Sequence, residues 1–251
     1  TSYLRIGEGS PVIFLHGGGA GAVAWHPVIR EISKFFCAIA PDLVGYGESD
    51  KPHALYDRHF FSQWLKDFTD ALGLKKCVLV GHSLGGAIAL QFALEHPDRI
   101  KRLALVCSAA LGLSFPLIPL LNGIFLYSFP SKMTSWHLHA CLVHRLGSLH
   151  EKFIKYAEEV CRKPGGKRAF WRGCGRAILP IPFDCLKRIT HRTALIWGAE
   201  DRVLPLTHAY KAMRSMPDVQ LHVIPQAGHI PFFDQPRIFN EVLLKFLEDG
   251  C

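Results

Sequence analysis

The chain has 251 residues, 49% of them hydrophobic and 20% charged, with a net charge of +8. That length holds one large domain or one domain plus an insertion, and the composition excludes a disordered chain. The basic surplus is concentrated in residues 111–184, which hold ten Lys and Arg against four Asp and Glu; no nucleic-acid-binding motif accompanies it, so no nucleic-acid partner is expected.

The sequence begins at Thr1 in what reads as a strand, without the charged start and apolar stretch of a signal peptide. What precedes Thr1 is left open. The eight cysteines show no CxxC and no framework spacing. They read as reduced, mostly buried thiols, and a cytoplasmic location is expected. Short apolar runs follow at 10–17 (SPVIFLHG), 35–42 (FFCAIAPD), 76–81 (KCVLVG), 102–109 (RLALVCSA), 193–198 (TALIWG) and 220–225 (QLHVIP). Helix-like stretches lie between them at 58–72, 84–96 and 207–215. Continuous apolar strands alternating with helices predict an α/β protein, a doubly wound, mostly parallel sheet covered on both faces. A last helix is predicted over 235–248, with Phe239, Val242, Leu243 and Phe246 on one face, Asp234 as its N-cap and Pro236 in its first turn.

The alternation breaks over 111–184, where Pro116, Pro119, Pro130, Pro164, Pro180 and Pro182 fall among aromatics and no strand pattern is visible. The organisation expected is a core in two parts, 1–110 and 185–251, with a helical lid at 111–184. No charge occurs from Leu103 to Ser131. A membrane span needs about 20 apolar residues in one helix, and this run holds a strand, prolines and Asn122. It is read as an apolar lid lining a pocket, with peripheral contact to a membrane as its other use.

GHSLG (81–85) fits G-x-S-x-G with a strand before it and a helix after it, the context in which a sharp turn displays a serine hydroxyl. A serine nucleophile needs a base, and the base an orienting acid. IWGAEDRVLP places Asp201, with Glu200 as its rival, in the loop after one strand; VIPQAGHIPF places His229 after the next. The candidate catalytic set is therefore Ser83, Asp201 and His229, at the carboxyl ends of parallel strands where such groups gather. FLHGGGAGA (14–22) brings glycine amides to the same rim, and the backbone N–H groups of Leu84 and of Gly18, with Gly19 as its rival, are the candidate oxyanion donors. Gly19, His82 and Trp171 are candidate pocket residues.

The glycine loop has a second reading. Gly17-x-Gly19-x-x-Ala22 matches a dinucleotide fingerprint with Asp42 about 20 residues on. His16 before the glycines and the Ser, Asp, His set elsewhere weigh against it, and no GK[ST] supports a P-loop. Asp42 is read as a loop anchor. His137, Cys141 and His144 would share a helix face, a possible metal set, but Leu138 and Leu142 make that face an apolar stripe. No metal and no cofactor are expected.

HGGGAGA, PDLVGYGESDKP (41–52), GHSLGG, GAEDRVLP and AGHIPFFDQP together resemble the α/β-hydrolase superfamily. They are similar to its lid-bearing branch of meta-cleavage-product hydrolases, esterases, cofactor-free haloperoxidases and epoxide hydrolases. The resemblance covers 10–110 and 190–250. It implies Ser83 as nucleophile, Asp201 as acid, His229 as base and oxyanion donors at Gly18 and Leu84. Serine at the elbow argues against the epoxide-hydrolase type, which uses aspartate there. HGGGAGA leans toward carbon–carbon bond hydrolases, but those usually show Asn-Ser where this chain has His82-Ser83. The expected function is hydrolysis of an ester, or a related carbon–carbon or amide bond, in a small to medium, largely apolar substrate. The alternatives are a non-catalytic ligand receptor of the same fold and, more remotely, a dinucleotide-dependent oxidoreductase.

Overall fold

The computed structural model describes residues 1–113 and 117–249, apart from the side chain of Cys174. The Ser114 and Pro116 positions of the predicted lid, and Cys251, lie outside the described residues. In chain order the elements are β1 (Tyr3–Ile6), β2 (Pro11–Leu15), α1 (His26–Ile32), β3 (Cys37–Pro41), α2 (Arg58–Ala71), β4 (Cys77–His82), α3 (Leu84–Glu95) and β5 (Ile100–Val106). They continue with α4 (Leu117–Ser128), α5 (Lys132–Leu142), α6 (Glu151–Arg162), α7 (Arg168–Ala177), α8 (Phe183–Leu186), β6 (Thr193–Gly198), α9 (Thr207–Met213), β7 (Val219–Ile224), α10 (Pro231–Asp234) and α11 (Pro236–Glu248).

The seven strands form one sheet in the order β1-β3-β2-β4-β5-β6-β7, with β1 antiparallel to β3 and the other pairings parallel. Successive side chains of a strand face opposite ways, and the two faces are buried separately. Ile13, Leu15, Leu79, Leu103, Leu105 and Leu195 pack on one side with side chains of α2, α3 and α9. Val12, Phe14, Val78, Val80, Ala104 and Ile196 pack on the other with α1 and α11. Every residue of β4 and β6 is buried, so these strands read as unbroken apolar runs. The helix α1 has no counterpart among the predicted elements; it is seven residues long, with Pro27 in its first turn. Between β5 and β6 the described chain holds the five helices α4–α8 and no strand.

The predicted N-cap of the last helix is corrected. Gln235 holds that position, because residues 231–234 form a one-turn helix of their own. The Asp234 carboxylate instead accepts hydrogen bonds from the amides of Gly228 (2.9 Å), His144 (2.8 Å) and Arg145 (3.0 Å) and from the Ser148 hydroxyl (2.8 Å). It ties the loop after β7 to the end of α5. Asp234→Ala strands these donors around a buried gap, and chemical denaturation should show a loss of about 3 kcal/mol.

Candidate active site

The register sets the strand ends side by side. Leu15 of β2 pairs with Gly81 of β4, Gly81 with Leu105 of β5, and Val106 with Ile196 of β6. Just beyond these carboxyl ends lie Gly18, Ser83, Asp201 and His229.

Ser83 sits at φ 52°, ψ −113°, a conformation that costs about 1–3 kcal/mol and must be held by its surroundings. Four backbone bonds hold it. Its N–H donates to the Val106 carbonyl (3.0 Å), and its own carbonyl accepts from Gly86 (3.0 Å), Ala87 (3.2 Å) and Ala109 (3.0 Å). The helix α3 starts immediately after, so the Leu84 amide is among the first-turn donors that have no partner within their own helix. This start presses against β2. A Cβ on Gly85 would lie 2.2 Å from the Leu15 carbonyl oxygen, which is why the turn must end in glycine. The glycine loop approaches as closely: a Cβ on Gly17 would meet His82 Nδ1 at 2.8 Å and Ser83 Cβ at 3.4 Å, and one on Gly18 would touch Leu84 Cδ2 at 3.8 Å. The two candidate oxyanion residues are thus neighbours in space.

His16 and Asp42 fix this loop. The His16 Nδ1–H donates to the Gly17 carbonyl (2.8 Å), while Nε2 accepts the Leu43 amide (2.9 Å). Burial holds this imidazole below its ordinary pKa, against the pull of Asp42 and of the Gly17 carbonyl. The Asp42 carboxylate accepts from the amides of Ala22 (2.6 Å) and Glu48 (2.8 Å). It is hydrogen-bonded as a loop anchor, not set out toward a ribose.

The Asp201 and His229 side chains, both buried, meet at 2.9 Å, Nδ1 to Oδ2. Asp201 Oδ1 accepts from the amides of Val203 (2.8 Å) and Leu204 (2.9 Å). Burial pushes the Asp201 acid up, but the imidazole and the two amides outweigh it and keep the carboxyl below its ordinary range. The carboxylate therefore takes the Nδ1 proton of His229 as an acceptor and leaves Nε2 with a lone pair. Glu200 is engaged elsewhere, accepting the Ala227 amide at 2.9 Å.

His82, one residue before Ser83, is buried and donates Nε2–H to the His229 carbonyl at 2.8 Å; the two rings are 4.9 Å apart. Trp25 and Phe232 meet it edge-on. It braces the elbow against the histidine loop, where the sequence suggested a pocket residue. Burial, reinforced by His229, lowers its pKa to about 3, against about 6.5 in an unfolded chain. Between these values the unfolded chain holds a proton that the folded protein lacks. Stability is therefore full above about pH 6.5 and falls as the pH drops toward 3, by on the order of 5 kcal/mol. Urea midpoints at pH 7.5, 6, 5 and 4 should show a shallower acid slope for His82→Gln than for the native protein; equal slopes would assign the effect to other groups.

Several contacts had no sequence signal. The Cys107 thiol lies with the Asp201 carboxylate and the His229 ring in a cluster whose polar atoms are within 4.8 Å of one another. Burial, reinforced by Asp201, raises its pKa well above the ordinary value. It stays protonated, and its Sγ–H donates to the Gly228 carbonyl at 4.0 Å. Tyr127 of α4 reaches over the glycine loop: a Cβ on Gly19 would lie 2.8 Å from its hydroxyl, and its ring stacks on Phe170 at 3.9 Å. Trp171, the residue singled out from sequence, is 55% exposed, and it is its neighbour Phe170 that packs inward on Tyr127. The His137, Cys141 and His144 set does not lie along one helix face. The helix ends at Leu142, before His144, and His137 Nδ1 is bonded to the Met133 carbonyl.

Residues 10–140 match the family model for the alpha/beta hydrolase fold. The chain is 34% identical, over 97% of its length and 90% of the relative's, to a 2-hydroxy-6-oxo-6-phenylhexa-2,4-dienoate hydrolase of Burkholderia cepacia. It is 30% identical, over 100% and 91%, to a 2-hydroxymuconate semialdehyde hydrolase of a Pseudomonas species. Among solved structures, the meta-cleavage product hydrolase of Pseudomonas fluorescens IP01 superposes with a TM-score of 0.89 at 26% identity, covering 100% of this chain and 94% of that one.

Proposed function

The chain belongs to the α/β hydrolase fold family and is a hydrolase; from that premise we propose that it cleaves an ester bond in a small, largely apolar substrate through an acyl-enzyme on Ser83. The observation that carries the reading is the 2.9 Å Asp201–His229 pair beside a strained serine turn. His229 Nε2 takes the hydroxyl proton as Ser83 Oγ attacks the carbonyl carbon. The oxyanion is met by the amides of Leu84 and Gly18. His229 returns the proton to the departing alkoxide, and a water that gives His229 its proton then frees the acid and restores Ser83. No step needs a cofactor. Phe170 and Tyr127 make the cover above the glycine loop apolar, which supports an apolar acyl or alcohol portion.

Carbon–carbon bond cleavage is the second reading, favoured by the names of the relatives at 30–34% identity. His82 in place of asparagine at the elbow weighs against it. A fluorophosphonate probe should label Ser83, as read by peptide mass, and p-nitrophenyl esters of graded chain length should be turned over faster than a vinylogous diketone. Preferred turnover of the diketone would give the protein the second reading. An inert Ser83 would make it a binding module.

A further inference from the structure

No residue of α4 is charged, and the helix has two unlike sides. Inward it buries Gly123, Leu126 and Tyr127, the last over the glycine loop. Outward it presents Leu117 (66% exposed), Ile118 (65%), Leu121 and Phe125 (52%) at the spacing of one helix face. Phe129, 71% exposed, extends the row, its amide donating to the Phe125 carbonyl at 2.8 Å. Exposed Met133 of α5 follows. A contiguous apolar surface of this kind marks an interaction site.

The border of this surface is cationic. Where α4 ends, Lys167 Nζ donates to the Ser128 carbonyl at 3.2 Å and the Arg162 guanidinium to the Pro130 carbonyl at 2.7 Å, with Lys132 two residues beyond. Glu151 and Glu158 pair with Lys132 and Arg162. Even so, residues 111–184 keep ten Lys and Arg against four Asp and Glu. At 12 residues α4 is about 18 Å long. No helix among the described residues is long and apolar enough to cross a membrane. A short apolar row bordered by cations suits a helix lying in the plane of a lipid surface, its side chains among the acyl chains and the cations at anionic headgroups.

We propose that α4 and the turn after it dock this protein on an anionic lipid surface. The docking stands on the surface alone. One consequence rests on the proposed esterase reading: an apolar substrate enters from the bilayer, past the helix whose inner side covers the glycine loop.

The test is co-sedimentation with vesicles of phosphatidylcholine, pure or with 30% phosphatidylglycerol, using the full chain carrying Ser83→Ala so that no lipid is consumed. Binding to the anionic vesicles should exceed binding to the neutral ones by about tenfold or more and weaken in 0.5 M salt. Leu117→Ser with Phe125→Ser should lower it by about tenfold or more, since each removes an immersed apolar side chain. Arg162→Gln with Lys167→Gln should erase the preference for the anionic lipid. Absence of pelleting with anionic vesicles, or equal pelleting of the Leu117/Phe125 variant, overturns the proposal. So does a dimer in analytical ultracentrifugation that the same two substitutions dissolve, since a second copy would then own the face. Ester turnover of the native chain, measured beside this, separates the two readings: vesicle binding without turnover leaves the docking standing and removes the esterase.

Discussion

Ser83→Ala is expected to lower ester turnover by about 10⁶, the loss seen when a triad nucleophile is removed. The change deletes one oxygen and leaves the turn as it is. The bonds that hold Ser83 at positive φ are all backbone bonds, to Val106, Gly86, Ala87 and Ala109, and alanine keeps each of them. Thermal unfolding should therefore move by no more than the small amount typical of a substitution without packing loss, within about 0.5 kcal/mol. The residual rate, about 10³–10⁴ above water, would come from the Leu84 and Gly18 amides and from substrate binding. Steady-state kinetics on a p-nitrophenyl ester and a melting curve are the two measurements. A variant that kept a tenth of the native rate would take the reaction away from Ser83.

The parts of the molecule legible in the sequence are those set by local pattern. The strands β2, β4 and β6, and β5 from Leu103 on, are apolar on both faces because helices cover both faces of the sheet, so each reads as a short unbroken run. GHSLGG reads as a turn because glycine is required where α3 meets β2, as the 2.2 Å clash of a Gly85 Cβ shows. Asp201 stands out from Glu200 by its place in the turn after β6, and the structure gives the two carboxylates different partners. What stayed hidden depends on pairs far apart in the chain. His82 and the His229 carbonyl are 147 residues apart, and Asp234 and the His144 amide 90 apart. An aspartate just before a proline-led helix is a sound N-cap by local rules; only the fold brings the two distant amides of His144 and Arg145 to its carboxylate. The helices between β5 and β6 are harder still to read, because α4 is apolar toward solvent as well as toward the core. No single face of its sequence announces which side is inside, and Tyr127 and Phe170 emerge as the inward pair only in three dimensions.

Asp201→Asn is expected to lower kcat by about 10⁴ while leaving the fold in place, and the reason is the direction of hydrogen bonds. In the native protein Oδ1 accepts the amides of Val203 and Leu204, and Oδ2 accepts Nδ1–H of His229. An asparagine must keep its oxygen on the two amides, because its NH₂ cannot accept from them. The NH₂ then faces His229 Nδ1, and two donors cannot meet. The ring moves its proton to Nε2, so Nδ1 accepts from the asparagine and the nitrogen turned toward Ser83 no longer has a lone pair. The base is lost although every side chain is where it was. Since the packing is unchanged, urea unfolding should shift by about 1 kcal/mol or less, which separates the loss of turnover from loss of structure. Glu200→Gln is the matched control. Its carboxylate accepts one amide, from Ala227, and its rate should stay within about tenfold of the native one. If Glu200→Gln carried the large loss and Asp201→Asn the small one, the acid of the site would be Glu200, and the 2.9 Å pair of Asp201 and His229 would be a structural contact.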